Sequence, residues 1–298
     1  MISVITPTYN RGYIIDNLFN SLKNQTSHEF EWIVIDDGSS DNTYDKLKSM
    51  AGENVGFPIT VIRQQNRGKH YAVNVGVSKA KGNFVFIVDS DDILTPDAIE
   101  SVSAWAKEVE GMEHIAAVSG LRGYIKRPDA VGGFPMLAEG RHYIDAKYTD
   151  QTASFLQGDK AEVYKTEILR RYPFRIFEGE KFLPESTVWN KIAHDGYYIR
   201  WYDKIIYRCE YLEDGLTNNV DRLFVDNFKG FAYYIQIRIM THPLSDRMLA
   251  RGLYCKIARR KGLSFKSAGE LLGENYVLLA LNFYAYKTAK VLKKLLHG

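Results

Sequence analysis

Asp89-Ser90-Asp91 holds more potential chemistry than any other triplet in this chain. Two carboxylates at i and i+2 can turn oxygens toward one hard divalent cation, which takes oxygen ligands and bridges to phosphates. Alone, such a triplet is usually a solvated turn or a helix cap. Here it follows directly on Asn83-Phe-Val-Phe-Ile-Val88, an apolar run that reads as a central strand. A second acidic pair, Asp36-Asp37, follows Glu31-Trp-Ile-Val-Ile in the same way. In open α/β sheets, ligands bind beyond the carboxyl ends of the strands. Both acidic groups therefore stand where a ligand is expected.

The elements that must position them alternate over the first hundred residues. Ile2–Thr6 reads as a strand ended by Pro7, and Ile14, Leu18 and Leu22 mark one face of a helix. Asp41 or Asn42 would cap a short helix through Met50, and Ile59–Arg63 is a third strand. Gly68 to Lys81 reads as a helix closed by Gly82, and Pro96 opens another with Ile99, Val102 and Ala106 on one side. Strand–helix alternation of this kind predicts an α/β fold with a mostly parallel sheet covered on both faces. Beyond residue 100 the signals thin. Tyr197–Glu210 reads as a strand pair, Lys181–Trp189 as a loop entering a helix that runs to His194, and residues from about Asp221 as helical. Tyr211–Thr217 is a polar cluster that would suit a closing loop hinged at Gly215.

Several chemistries lose ground at once. The turn after the first strand is Thr8-Tyr9-Asn10-Arg11-Gly12, neither the glycine fingerprint of dinucleotide binding nor the lysine loop of P-loop enzymes. The glycine-rich loop expected of a sugar nucleotidyltransferase is missing too. The composition, 45% hydrophobic and 25% charged over 298 residues, is that of a globular protein and argues against disorder. Cys209 and Cys255 make no disulfide framework and no four-thiolate zinc site, which fits two buried thiols in a reducing compartment. Neither a secretory signal nor a run long enough to span a bilayer is found, so the expected location is cytoplasmic. The net charge of +3 conceals an asymmetry: residues 221–298 carry 14 Lys+Arg against 5 Asp+Glu. On a C-terminal helix Lys287, Lys290 and Lys294 share one face, and Ala285, Ala289, Leu292 and Leu296 another. A basic amphipathic helix suits an anionic membrane surface, so peripheral attachment at the inner face of the membrane is a further expectation. No basic-aromatic module for nucleic acid is present.

Four linked motifs resemble the family 2 glycosyltransferases with the GT-A fold. They are Ile5-Thr-Pro-Thr-Tyr-Asn10; Val34-Ile-Asp-Asp-Gly-Ser39; Asn66-Arg-Gly-Lys69 with Ala72, Asn74, Gly76, Ala80 and Gly82; and Asp89-Ser-Asp-Asp92. The resemblance covers roughly residues 1–100 in order and spacing. It implies a GT-A catalytic domain over 1–217, with a nucleotide-binding half (1–100) and an acceptor half (101–217), followed by a basic helical extension over 218–298. It also implies a nucleotide-sugar donor such as a UDP-sugar, Mn²⁺ or Mg²⁺, and inversion at the anomeric carbon. The acceptor would be a glycan or lipid-linked hydroxyl in bacterial surface polysaccharide synthesis.

Residue by residue, the resemblance puts Thr8 and Tyr9 at the nucleobase and makes Asp37 the acceptor for the base imide, with Asp36 the lesser candidate. Arg67 or Lys69 would meet the diphosphate, Asp89 the ribose or metal, and Asp91 the metal. The general base of the family, an acid opening a helix and often within Glu-Asp, matches Glu185, although Ser186 stands at the Asp position. Glu178, Glu180 and Asp159 are fallback bases. Ser186 also supports a rival reading, a noncatalytic nucleotide-sugar-binding or membrane-scaffold protein with a degenerate base.

Overall fold

The computed structural model describes residues 1–133, 137–150, 158–210 and 220–297, with side chains through Thr288. The expected loop at Tyr211–Thr217 lies outside the described residues, as does part of the Gly132–Pro135 loop. The chain divides into two compact units, one of Met1–Phe174 with Ile192–Leu212 and one of Arg175–Lys191 with Glu213–Gly298.

Among the described residues, the first unit is built on a nine-stranded mixed sheet. Its nucleotide-side strands are β1 (Ile2–Thr8), β2 (Phe30–Asp36), β3 (Ile59–Arg63) and β4 (Phe84–Ile87), parallel in the order β3-β2-β1-β4. The short β5 (Ile93–Leu94), β6 (Ile115–Tyr124), β7 (Tyr143–Ala146), β8 (Lys160–Lys165) and β9 (Tyr198–Cys209) complete it. Here β8 is antiparallel to both β4 and β6, β9 runs parallel to β6, and β5 and β7 pair with β9. The connecting helices are α1 (Ile15–Lys23), α2 (Thr43–Ala51), α3 (Lys69–Lys79), α4 (Ala98–Glu108) and α5 (Thr166–Arg171).

Every residue of β1 and β2 is buried, as strands covered on both faces must be. Trp32 in β2 stacks on Phe19 of α1 at 5.7 Å and gives its indole proton to Thr6 Oγ1 at 2.9 Å, so its one polar atom is satisfied inside the core. On the other face α3 lies close against the sheet because residue 76 is glycine. A Cβ there would come 2.5 Å from Ile5 Cγ2 and 3.0 Å from Ile35 Cδ1. This contact sets where the first turn of α3, with Lys69, meets the ends of β1 and β2.

Three expectations need correction. Pro7 does not end β1, which continues to Thr8 with Pro7 opposite Ile35. The N–H of Ile2 bonds Glu29 on the β2 side, so strand alternation turns the Pro7 nitrogen toward β4. The ladder there closes with Val88 N to Ile5 O, and no donor is needed beyond it. Tyr198–Cys209 is one long strand with irregular register against β6, not a pair. The helix read to Lys81 stops at Lys79, because Ala80 is already extended (ψ 132°).

The second unit is helical: α7 (Val220–Asp226), α8 (Phe228–Thr241), α9 (Leu244–Arg260), α10 (Phe265–Leu272) and α11 (Tyr276–His297). Its core gathers Phe224, Phe228, Phe231 and Tyr254, with Cys255 fully buried among them. The helix α6 (Ser186–His194) begins within the segment assigned to this unit. The basic helical region expected after residue 218 is present, and residues 175–191 cluster with it.

Candidate active site

Beyond Ile5 and Ile87, β1 and β4 part. The last bond between them is Val88 N to Ile5 O, and the next N–H, that of Asp89 on the far side of β4, donates to the Tyr207 hydroxyl of β9 at 3.0 Å. The two strands thus diverge at their carboxyl ends, and the acidic turn Asp89–Asp92 follows β4 there.

Thr8 ends β1 and is buried, its Oγ1 without a hydrogen-bond partner among the described residues. Tyr9 follows and is 46% exposed. Asn10 takes a left-handed conformation (φ 52°). Its N–H bonds Ser39 Oγ and its Oδ1 accepts from Ser40 N, so the loop after β1 is tied to the loop after β2.

Asp37 is buried and takes three hydrogen bonds. Oδ1 accepts from Gln64 Nε2 (2.7 Å) and Arg67 N (2.9 Å), and Oδ2 accepts from Gly68 N (2.7 Å). Gly68 holds φ 90°, which favours glycine and lets its N–H face the carboxylate. Asp37 therefore clamps the loop leading into α3, and the second lone pair of Oδ2 remains for a ligand donor. Asp36 is turned inward, accepting from Ser39 N and pairing with Arg63 at 3.2 Å. The Arg67 guanidinium lies 3.8 Å over the Tyr71 ring. Asn74 is used structurally, exchanging two hydrogen bonds with the backbone of Phe174.

Three cations surround the acidic turn. Lys69 Nζ lies 2.5 Å from Asp89 Oδ1, Arg11 Nη2 3.8 Å from Asp91 Oδ2, and Arg122 Nη1 3.9 Å from both Asp89 Oδ2 and Asp92 Oδ2. Burial works to raise the Asp89 carboxyl, but Lys69 and Arg122 outweigh it and hold the group below the ordinary range. Asp91 is pushed up, by burial first and then by the charge of Asp89. Asp92 is pushed up to about 7 for the same two reasons, although Tyr207 donates to its Oδ2 at 2.6 Å.

Arg122, Tyr207 and Arg11 were not singled out from sequence. Arg122 packs over the Tyr207 ring at 4.3 Å and donates from Nε to Lys160 O at 2.8 Å. A lone arginine closing the apolar run Ile115–Leu121 was the available signal.

Among the described residues no cluster of three or more His, Cys, Asp or Glu could hold a metal. The donor set nonetheless fits one kind of ion. Mg²⁺ and Mn²⁺ commonly rest on one or two carboxylates and take their other ligands from water and substrate phosphates. Asp91 is partly exposed, pairs with Arg11, and is raised by burial and by the charge of Asp89.

Glu185 precedes α6 in the second unit, and its carbonyl accepts from Val188 N and Trp189 N in the first turn. Its carboxylate is half-buried, with Oε1 buried outright. Of the fallback bases, Glu180 is committed elsewhere, its two oxygens accepting from Lys229 N and Gly230 N (2.7 Å each) at the start of α8. Glu178 and Asp159 are exposed.

The mixed sheet with its acidic turn at the strand ends is the GT-A architecture. S. aureus TarS 1–349 in complex with UDP-GlcNAc superposes with a TM-score of 0.61 at 18% identity, over 97% of this chain and 92% of that one. Residues 3–134 match glycosyl transferase family 2. An uncharacterized glycosyltransferase of Haemophilus influenzae is 38% identical over 103 residues, 34% of this chain and 33% of that protein. The GalNAc(5)-diNAcBac-PP-undecaprenol beta-1,3-glucosyltransferase of Campylobacter jejuni is 25% identical over 231 residues, 75% of this chain and 71% of that one. The Haemophilus match thus spans about a third of that relative's length.

Proposed function

We propose that this protein is an inverting glycosyltransferase. It moves a sugar from a nucleoside-diphosphate sugar, a UDP-sugar in the first instance, to a hydroxyl of a glycan or lipid-linked acceptor in surface polysaccharide synthesis. The observation that carries this reading is the Asp89–Asp92 turn, ringed by Lys69, Arg11 and Arg122 at the open end of β1 and β4. Names of relatives point the same way: one bears a UDP-sugar and another acts on an undecaprenol-linked glycan.

In this reading Tyr9 stacks on the base, Thr8 and Asp37 meet its edge, and Arg67 and Lys69 approach the diphosphate. Asp91, with Asp89, would hold Mn²⁺ or Mg²⁺, which supplies charge neutralisation for the departing diphosphate. The carboxylates of the turn already engage Lys69, Arg11 and Arg122, so the negative charge of an incoming diphosphate calls for a further positive charge. Glu185 serves as the base that takes the acceptor proton, because an alcohol near its ordinary pKa attacks poorly without one.

The test is nucleotide release from a panel of nucleotide-sugars with and without Mn²⁺, which needs no known acceptor, followed by Glu185→Gln once an acceptor is found. Transfer should fall by about 10²–10⁴-fold with UDP affinity unchanged. A wild-type protein that binds UDP and turns over no donor would support the noncatalytic alternative. A Glu185→Gln protein that loses binding together with transfer would make Glu185 structural.

A further inference from the structure

We propose that the outward face of α11 is a docking surface for an anionic lipid bilayer, on which the chain lies without crossing. The inference stands on the helical unit alone and does not depend on the glycosyl-transfer reading.

One side of α11 is spent within its own unit. Leu279 and Asn282 are buried, Cys255 Sγ bonds Leu279 O, and Gly252 of α9 has no Cβ because one would come 2.4 Å from Tyr286 Cβ. At 100° per residue, positions 277, 281, 284 and 288 fall roughly opposite 279, 282 and 286. That opposite side should be polar if water covers it. It is Val277, Leu281, Tyr284 and Thr288, flanked by Tyr276 and Leu278. The five large residues among these are 41% to 64% exposed. A helix apolar all round is one that expects cover on both sides.

Charge selects the occupant. From Asn275 to Gly298 there is no acidic residue, and Lys287, Lys290, Lys293 and Lys294 follow the apolar face. The helical backbone places Lys287, Lys290 and Lys294 on a stripe between the buried side and the apolar outward side. A second copy of this chain would bring lysine toward lysine. A bilayer with anionic headgroups accepts both features, apolar side chains at the acyl boundary and lysines at the phosphates. No helix among the described residues is long and apolar enough to cross a membrane, so the surface mode is the one available to α11.

The experiment uses the full chain and two vesicle types, phosphatidylcholine alone and phosphatidylcholine with phosphatidylglycerol. Cosedimentation should favour the anionic vesicles by roughly ten-fold or more, since each lysine near an anionic surface changes partition several-fold. Val277→Asp with Leu281→Asp should remove that binding while leaving the circular dichroism spectrum and melting curve in place. Lys290→Glu with Lys294→Glu should remove the preference for the anionic vesicles. A separate reading that needs no loss of binding comes from Leu281→Cys carrying an environment-sensitive dye. Cys209 and Cys255 are buried, so the introduced thiol takes the label, and its emission should shift blue on anionic vesicles. Equal sedimentation with both vesicle types, or an unshifted dye, overturns the proposal. So does a stable dimer in sedimentation velocity that Val277→Asp with Leu281→Asp dissociates, because the face would then belong to a second copy.

Discussion

Tyr207→Phe removes one oxygen atom and should disturb the acidic turn more than any other single-atom change in the first unit. The hydroxyl has two bonds. It donates to Asp92 Oδ2 at 2.6 Å, and it accepts from Asp89 N at 3.0 Å, the first N–H past β4 on the side facing away from β1. Phenylalanine keeps the ring under Arg122 and the contact with Phe86 at 6.2 Å, so packing is conserved. A hydrogen bond to a charged group is worth about 1.5–3 kcal/mol, and a buried N–H left unpaired costs about 1–3 kcal/mol. Allowing for partial relaxation of the turn, the first unit should lose about 3 kcal/mol. Urea denaturation followed by tryptophan fluorescence measures this, because Trp32, Trp105 and Trp201 all lie in that unit. The companion readout is Mn²⁺-dependent UDP affinity by calorimetry, which should weaken because Asp89 and Asp91 no longer hang from a fixed backbone. A stability loss below about 0.5 kcal/mol would refute the reasoning, since neither bond could then have been carrying the turn.

Three further outcomes are expected. Asp91→Ala should abolish the metal-dependent part of UDP binding in calorimetry, and unchanged affinity would make Asp91 a turn residue only. Asp37→Asn presents an amide where Gln64 Nε2, Arg67 N and Gly68 N all donate, and it should cost about 2 kcal/mol in urea denaturation and weaken UDP binding; a stability loss alone would leave Asp37 as a loop clamp and remove it from the base site. His70 is buried and its imidazole is lowered to about 4, burial outweighing the pull of Asp37. It is therefore neutral in the folded chain, its contribution is complete above an ordinary histidine pKa of about 6.5, and it is lost as pH falls toward 4. Between pH 7 and 5 the wild type should lose about 2 kcal/mol more than His70→Asn, and parallel pH profiles would refute the assignment.

What the sequence showed and what it hid have a common physical cause. Asp37, Asp89 and Asp91 were legible because a polar residue ending an apolar strand needs only local order to be placed. The first four strands were legible for the same reason, each being a short run with its helix next in line. Arg122 and Tyr207 were not, because their meaning depends on strand order. Arg122 reaches Asp89 past β8, which enters the sheet between β4 and β6 from about forty residues further along the chain. Nothing local to residues 115–124 records that insertion. Glu180, a fallback base on sequence alone, is hidden for a similar reason: only the start of α8, about fifty residues on, reveals what its two oxygens bond.

Pro7 joins the two kinds of information. Read alone it ends a strand, and by local rules it should. In the sheet it is tolerated because β4 has already turned away on the side its nitrogen faces. The bond the sheet does without is the one a donor at position 7 would give on the β4 side. Val88 N faces β1, so the Asp89 N–H faces away from it, and there the Tyr207 hydroxyl accepts it. Past that point the acidic turn meets Lys69, Arg11 and Arg122. A ladder that ran two residues further would hold this stretch of chain in the sheet. Because backbone pairing stops there, side chains take over the satisfaction of the polar groups left behind.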